Sequence, residues 1–184
     1  SMILFFDTET TGVNPSTARL VQLAYALTDA NGKVIERGSR IVRPEGFTIP
    51  DAATRIHRIS TSHALRVGIT LCQCLDEIAR LSSSVAYLVA HNLTYDNTIL
   101  KSEYGRQRAP YPFESTPGIC TMRSATSYCQ IPKANGVRGY KWPKLEELHR
   151  HLFGASFANA HDADADMNAC MKCFFELRNL GVVE

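Results

Sequence analysis

No stretch of the 184-residue chain is apolar for long enough to cross a bilayer, which excludes a membrane-spanning helix. The N-terminus has no basic leader and no cleavage site, and its short apolar run turns acidic too soon for a signal peptide. Charge is nearly balanced, and a net +2 is too small to define a partner. There is no internal repeat and no low-complexity tract, so the sequence does not read as a solenoid. Six cysteines without a secretory signal read as reduced thiols rather than as a disulfide framework. Cys72 and Cys74, and Cys170 and Cys173, fall on expected helices. No second pair stands at zinc-finger spacing, so all six read as packing residues. These absences point to a cytoplasmic protein. Ser1, ahead of Met2, reads as a tag remnant. With 45% hydrophobic residues, positions 2–184 suit a single domain with a full core.

What is present begins at Met2–Gly12, where four large apolar residues lead into Asp7 and Glu9 and a Thr-Thr-Gly turn follows. Such a run suits a strand buried on both faces of a sheet. Period-two alternation puts Asp7 and Glu9 on one side and Thr8 on the other. Neighbouring carboxylates at the end of a core strand repel each other and lose hydration. A hard divalent cation between them reverses that cost. Taken alone, these residues fit equally a strand end whose acids face solvent.

Arg19–Thr28 alternates as a second strand. Asp29-Ala30-Asn31-Gly32 then turns the chain into a third strand, Lys33–Val42, which Pro44 ends. Asp51–His63 contains a short helix capped at Thr61-Ser62, and Thr70–Leu81 has helical apolar spacing. Val85–Ala90 reads as a parallel strand, His91–Asp96 lies at its exit, and Asn97–Tyr104 continues as helix. Residues 104–143 hold five of the eight prolines and little periodicity. They read as a long surface excursion with one strand near Ile119–Thr121. Pro143–Phe153, closed by Gly154, and Asp162–Leu180 complete the helices. Strands first, then alternating helix and strand, give an α/β fold. Its mixed central β-sheet combines an antiparallel meander with parallel strands, flanked by helices.

Acids stand at the ends of three expected elements: Asp7 and Glu9, then Asp96, then the run His161-Asp162-Ala163-Asp164-Ala165-Asp166. Asp-x-Asp-x-Asp also opens a calcium loop, but Met167 and Cys173 stand where that loop needs Gly and Glu. Asp162 and Asp164 suit the positive end of a helix dipole. In order, Phe-Asp-Thr-Glu-Thr-Thr-Gly, His-Asn-x-x-Tyr-Asp and His-x-Ala-x-x-Asp resemble the three motifs of the DnaQ-like (DEDDh) 3′–5′ exonuclease family. That family has the ribonuclease-H-like fold, and the local likeness is to a polymerase III epsilon-type domain.

The resemblance implies that Asp7, Glu9, Asp96 and Asp166 hold two divalent ions, Mg²⁺ or Mn²⁺, and that His161 is the general base. Imidazole is the side chain suited to taking up a proton near neutral pH. Thr10, Thr11 and Gly12 form a turn beside the acids, a place for backbone amides to meet the terminal sugar. Ile56-His57 resembles the family's Ile-His-Gly-Ile segment, which implies that both pack on the terminal nucleotide. Tyr95 replaces the family's usual Phe. It reads as a base-stacking face or as a buried packing residue, and Asn92 as a brace. Arg58 stands where the family usually has Gly, which leaves the local backbone open. The expected substrate is a 3′ end of single-stranded or frayed DNA, released as nucleoside 5′-monophosphates. Short RNA is the alternative substrate, and an inactive module binding nucleic-acid ends or a protein is the alternative of another class. A polymerase subunit is a further possible partner, although the chain ends soon after its last helix. If the ligand is nucleic acid, nucleoid association fits as well as the open cytoplasm.

The excursion adds charge. Eight basic residues from Lys101 to Lys144 face only Glu103 and Glu114, among Tyr104, Tyr111, Phe113, Tyr128, Tyr140 and Trp142. Such a segment either guides a polyanion toward the ions or forms a solvated loop.

Overall fold

In the computed structural model, which describes residues 1–184, five strands form one mixed sheet. They are β1 (Met2–Thr10), β2 (Leu20–Thr28), β3 (Val34–Ile41), β4 (Val85–Ala90) and β5 (Gly118–Cys120). Across the sheet the order is β3-β2-β1-β4-β5, so β1 runs through the middle. It is antiparallel to β2 and parallel to β4. A central strand is covered on both faces, which is why Ile3, Leu4, Phe5 and Phe6 are all buried without polar alternation. The β2–β3 turn closes on Gly32 at φ +92°, while the Asp29 carboxylate accepts the Asn31 and Lys33 amides.

Seven helices cover the sheet: α1 (Asp51–His57), α2 (Thr61–Val67), α3 (Leu71–Ala79), α4 (Leu93–Arg106), α5 (Thr121–Cys129), α6 (Leu145–Phe153) and α7 (Ala163–Asn179). Leu4 and Phe6 pack with Leu75, Ile78, Ile99 and Leu100 of α3 and α4. Ile3 and Phe5 point the other way and pack with Ala125, Leu148, Met167 and Phe174 of α5, α6 and α7. Two large apolar cores therefore lie on opposite faces of the sheet, and a smaller one, of Val21, Ile49, Ala53, Ile59 and Ala64, seats α1 and α2.

Several helix ends differ from the sequence reading, each for a local reason. Asp51–His63 resolves into α1 and α2, and the cap of α2 is Ser60, whose hydroxyl accepts the His63 amide. α4 starts at Leu93 rather than Asn97 because Asn92 adopts a left-handed conformation and its carbonyl accepts the Asp96 amide. α6 starts at Leu145 rather than Pro143, with Glu147 reaching back to the Lys144 amide.

The expected excursion at 104–143 is not one surface. Tyr104 and Phe113 are buried in the α3–α4 core, and Tyr111 packs between them with ring centroids 5.6 and 5.9 Å away. Lys101 pairs with Glu114 and Arg106 with Glu103. This half is structural. The segment also contains α5, which its Ser and Thr content concealed. Its apolar inward residues are only Met122, Ala125 and Cys129, at i, i+3 and i+7, beside the buried Thr121.

Candidate active site

Asp7 and Glu9 leave the far end of β1 on the α7 side of the sheet, and Asp166 enters from the first turn of α7. One carboxylate oxygen from each lies within 4.8 Å of the other two. The start of α7 is fastened twice. Asp162 caps it by accepting the Ala165 amide at 3.0 Å. Buried Gln22 of β2 donates to Asp162 Oδ1 at 3.2 Å and accepts the Ala163 amide at 3.0 Å.

Asp96 arrives from the opposite helical layer, on the first turn of α4, yet reaches the same strand end. Its Oδ1 accepts the Thr8 amide at 3.3 Å and the Thr8 hydroxyl at 2.5 Å. It is also the strongest of the charges acting on Asp7. Asp96 therefore lies beside the trio but is turned onto Thr8. α4 is itself held to β2 by Glu103, which is buried and accepts the Leu20 amide at 2.8 Å and Arg19 Nε at 3.2 Å. The sequence reading treated Glu103 only as an opposing charge.

Burial first, then mutual repulsion, raises the affinity of these acids for protons. Asp7 is pushed well above the usual carboxylate range, by burial and then by Asp96, Asp166 and Glu9. Burial and Asp166 push Glu9 up to about 9. Burial lifts Asp96 to about 7 against the lowering effect of the Thr8 hydrogen bonds. Burial lifts Asp166 to about 6 against the lowering effect of its bond from the His161 backbone. None of the four pairs with Lys or Arg. Asp7 Oδ2 is buried without any hydrogen-bond partner. An all-oxygen cluster with an orphaned carboxylate oxygen and no counter-cation fits a hard divalent ion.

His161 sits just before α7 in a left-handed conformation, φ +70°, and is exposed. Its backbone amide donates to both Asp166 oxygens, at 3.1 and 3.2 Å, while its imidazole makes no hydrogen bond. The ring is free to reach a water.

Beside Glu9 opens a cavity of about 450 Å³. Thr10, Thr11, Gly12, Ile56, His57 and Tyr95 all line it, so every residue expected to meet substrate is brought to one place. Their roles there differ in detail from the sequence reading. The Thr11 amide is already donated to the Arg19 carbonyl at 3.0 Å, so it is not open to a sugar. The Gly12 amide makes only a long 3.4 Å contact with Thr10 Oγ1. The Tyr95 hydroxyl bonds to Thr10 Oγ1 and the Gly12 carbonyl, so this ring braces the turn while presenting one side to the cavity.

His57 is buried and bonded at both nitrogens, Nδ1 accepting the Ile59 amide and Nε2 donating to the Thr10 carbonyl, each at 3.1 Å. That fixes the Nε2–H tautomer, and burial holds the ring below its ordinary pKa. Asn92 makes no side-chain cap on α4 and lines the cavity instead. Arg58 takes the left-handed conformation, φ +67°, that a Gly would adopt there.

The sequence reading passes over Val13 and gives His91, the first residue of the second motif, no role of its own. Val13, 94% exposed, lines the cavity together with half-exposed Ile56. His91 is bonded to the Thr121 hydroxyl at 2.9 Å and to the Pro143 carbonyl at 2.8 Å. Burial pushes the His91 ring down to about 4. A carbonyl only accepts, so Nε2 carries the proton and Nδ1 accepts from Thr121.

A mixed five-stranded sheet with clustered acids at the end of its central strand is the ribonuclease-H-like architecture. Structures of exonuclease I share the fold: the form from E. coli in complex with a dT13 oligonucleotide superposes with a TM-score of 0.79 at 23% identity. That match covers 96% of this chain and 40% of exonuclease I. A zinc ion bound form matches equally, with a TM-score of 0.79.

The family model for RNase T-type exonucleases matches residues 4–174, and the chain belongs to that exonuclease family, in its DEDDh branch. A DNA polymerase III of PolC type from Streptococcus thermophilus is 28% identical over 170 residues. That alignment takes 92% of this chain but only 11% of the relative. The DNA polymerase III subunit epsilon of Treponema pallidum is 26% identical over 170 residues, 92% of this chain and 73% of that subunit.

Proposed function

We propose that residues 2–184 form one exonuclease domain that removes nucleotides from 3′ ends of single-stranded or frayed DNA, releasing nucleoside 5′-monophosphates. The observation that carries this reading is the trio of Asp7, Glu9 and Asp166, within 4.8 Å of one another and beside a nucleotide-sized cavity. The relatives are polymerase III proteins, and one fold neighbour was crystallised with a DNA oligonucleotide, which supports DNA over RNA. The same relatives support a polymerase subunit as a partner and a cytoplasmic place of work. No helix is long and apolar enough to cross a membrane.

Asp7, Glu9 and Asp166 would hold one divalent ion, and Asp7 with Asp96 a second. Donors that are all oxygen favour Mg²⁺ or Mn²⁺ over zinc. Such ions supply charge stabilisation at phosphorus and an acidified water. The chain's own residues do the rest. The Gly12 amide and the faces of Ile56, His57 and Val13 seat the terminal nucleotide. Tyr95 and His57 hold the turn that carries it, through Thr10 and Gly12. His161 takes the proton from the attacking water, and Asp166 fixes its backbone within reach. The scissile phosphorus–oxygen bond breaks to leave a free 3′ hydroxyl on the shortened strand.

The test is a ladder of 5′-labelled oligonucleotides, DNA and RNA of one sequence, with Mg²⁺, with Mn²⁺ and with EDTA. Stepwise shortening of DNA from the 3′ end, abolished by EDTA and by Asp7→Ala, is expected. Shortening of RNA alone moves the substrate to the ribo series. Unchanged cleavage by Asp7→Ala overturns the site.

A further inference from the structure

The part of the 104–143 segment that stays outside the core has a composition of its own. Trp142, the chain's one tryptophan, is 53% exposed, and Val137 and Tyr140 are exposed beside it in sequence. They belong to a small flap, residues 131–142, closed by the Pro132–Tyr140 bridge and by the Lys141 amide on the Ile131 carbonyl at 2.8 Å. The flap contains Lys133, Arg138 and Lys141 and no acid. Lys141 is paired with Glu147, leaving Lys133 and Arg138 free. On the neighbouring α5, the Arg123 guanidinium lies over the Trp142 ring, 4.6 Å from its centroid. This backs one face of the indole with a cation and adds a third unpaired positive charge.

The flap is also bolted to the active site. Its C-terminal end runs into Pro143, whose carbonyl accepts His91 Nε2, and the next residue, Asn92, lines the nucleotide cavity. Exposed aromatic rings among unpaired cations match the chemistry of unstacked bases joined by phosphates. A stacked duplex has no free base faces to offer such a ring.

We propose that Trp142, backed by Arg123, is a stacking platform for the unpaired nucleotides upstream of the 3′ end, and that Lys133 and Arg138 follow their phosphates. This rests on the exonuclease reading above and adds to it a track outside the terminal-nucleotide cavity. The flap thereby favours substrates longer than the cavity alone can hold.

Because Trp142 is the sole tryptophan, its emission reports the platform directly. In EDTA, where no cleavage is expected, a dT12 oligomer should quench the emission saturably. Thymidine monophosphate and a blunt duplex should leave it unchanged. In the presence of Mg²⁺, Trp142→Ala should raise KM for dT12 about tenfold, the order of one lost base–aromatic stack. Hydrolysis of the p-nitrophenyl ester of thymidine 5′-monophosphate, which has no upstream nucleotide, should be unchanged. Trp142→Phe should recover most of the loss, and both variants should melt with the parent protein. Emission indifferent to dT12, or an unaltered KM in Trp142→Ala, overturns the platform and leaves the flap to a protein partner. Equal quenching by the duplex overturns its preference for single strands. If the ester is hydrolysed while the emission stays still, only this inference falls. If dT12 quenches but nothing is hydrolysed, the platform stands and the catalytic reading falls.

Discussion

Glu9 and Gln22 stand opposite each other in the register of β1 and β2, and the Gln22 amide ties that pair to the first residues of α7. Replacing Gln22 with Leu keeps the volume but leaves the buried Ala163 amide unpaired, a cost of about 1–3 kcal/mol. We expect a lower melting temperature and a kcat reduced at least tenfold, since His161 and Asp166 ride on the same turn. KM should barely change, because Gln22 does not line the cavity. A KM effect without a kcat effect would contradict this role.

The four raised carboxylates make the ion-free protein sensitive to alkali. Native Asp7, Glu9, Asp96 and Asp166 hold protons that an unfolded chain with carboxylates near ~4 has already released. Where the native state binds more protons, stability falls as pH rises. Melting in EDTA should therefore decline progressively from about pH 5 to pH 9, through the values of about 6, 7 and 9. Saturating Mg²⁺ should flatten the decline. Asp7→Asn should raise the ion-free melting temperature at pH 8 while abolishing hydrolysis. A fall in that temperature would show the carboxylate cluster to be stabilising on its own.

His161→Ala removes a ring that has no hydrogen-bond partner, so folding and ion binding should be close to those of the parent. Turnover should drop by about 10²–10⁴-fold, the usual yield of a positioned base. Calorimetric Mn²⁺ titration beside steady-state kinetics separates the two. An equal loss in both would contradict the assignment.

At Gly12 a Cβ would meet nothing within 4 Å, and the residue has no left-handed φ that would demand glycine. Its bareness keeps the cavity open. Gly12→Val should fold and melt normally but raise KM for every 3′ end, including the p-nitrophenyl ester. A large drop in melting temperature would show a conformational demand instead.

Arg58 occupies a left-handed backbone position at the end of α1, which costs a side-chain-bearing residue about 1 kcal/mol. Arg58→Gly should stabilise the protein by about that amount in urea unfolding. A destabilised variant would mean that the guanidinium makes contacts that offset the strain.

Local pattern was enough to place β1, β2, β3 and β4. The run Ile3–Phe6 suits a covered sheet and Asn31-Gly32 fixes the hairpin, whereas Arg19–Thr28 reads as an alternating strand but is buried along all of β2, Gln22 included. The acids were readable because they stand at the ends of three elements whose order matches a family pattern. Gln22 and Glu103 were not, since their importance comes from partners 140 and 83 residues away, Asp162 and Leu20. The inward turn of Tyr104, Tyr111 and Phe113 was hidden for a related reason. Prolines break the periodicity there, and burial is decided by contact with α3 rather than by neighbours in sequence. Tyr95 illustrates a subtler loss: its ring position was foreseeable, but the hydroxyl's hold on Thr10 and Gly12 was not.

The two cores on either side of the sheet have a consequence for endurance under heat. Asp166 rides on α7 in one and Asp96 on α4 in the other, so a working centre requires both slabs to stay aligned over a single strand. A slippage too slight to register as melting would already separate the donors. Incubated samples should thus lose hydrolysis at temperatures where circular dichroism still reports intact helices.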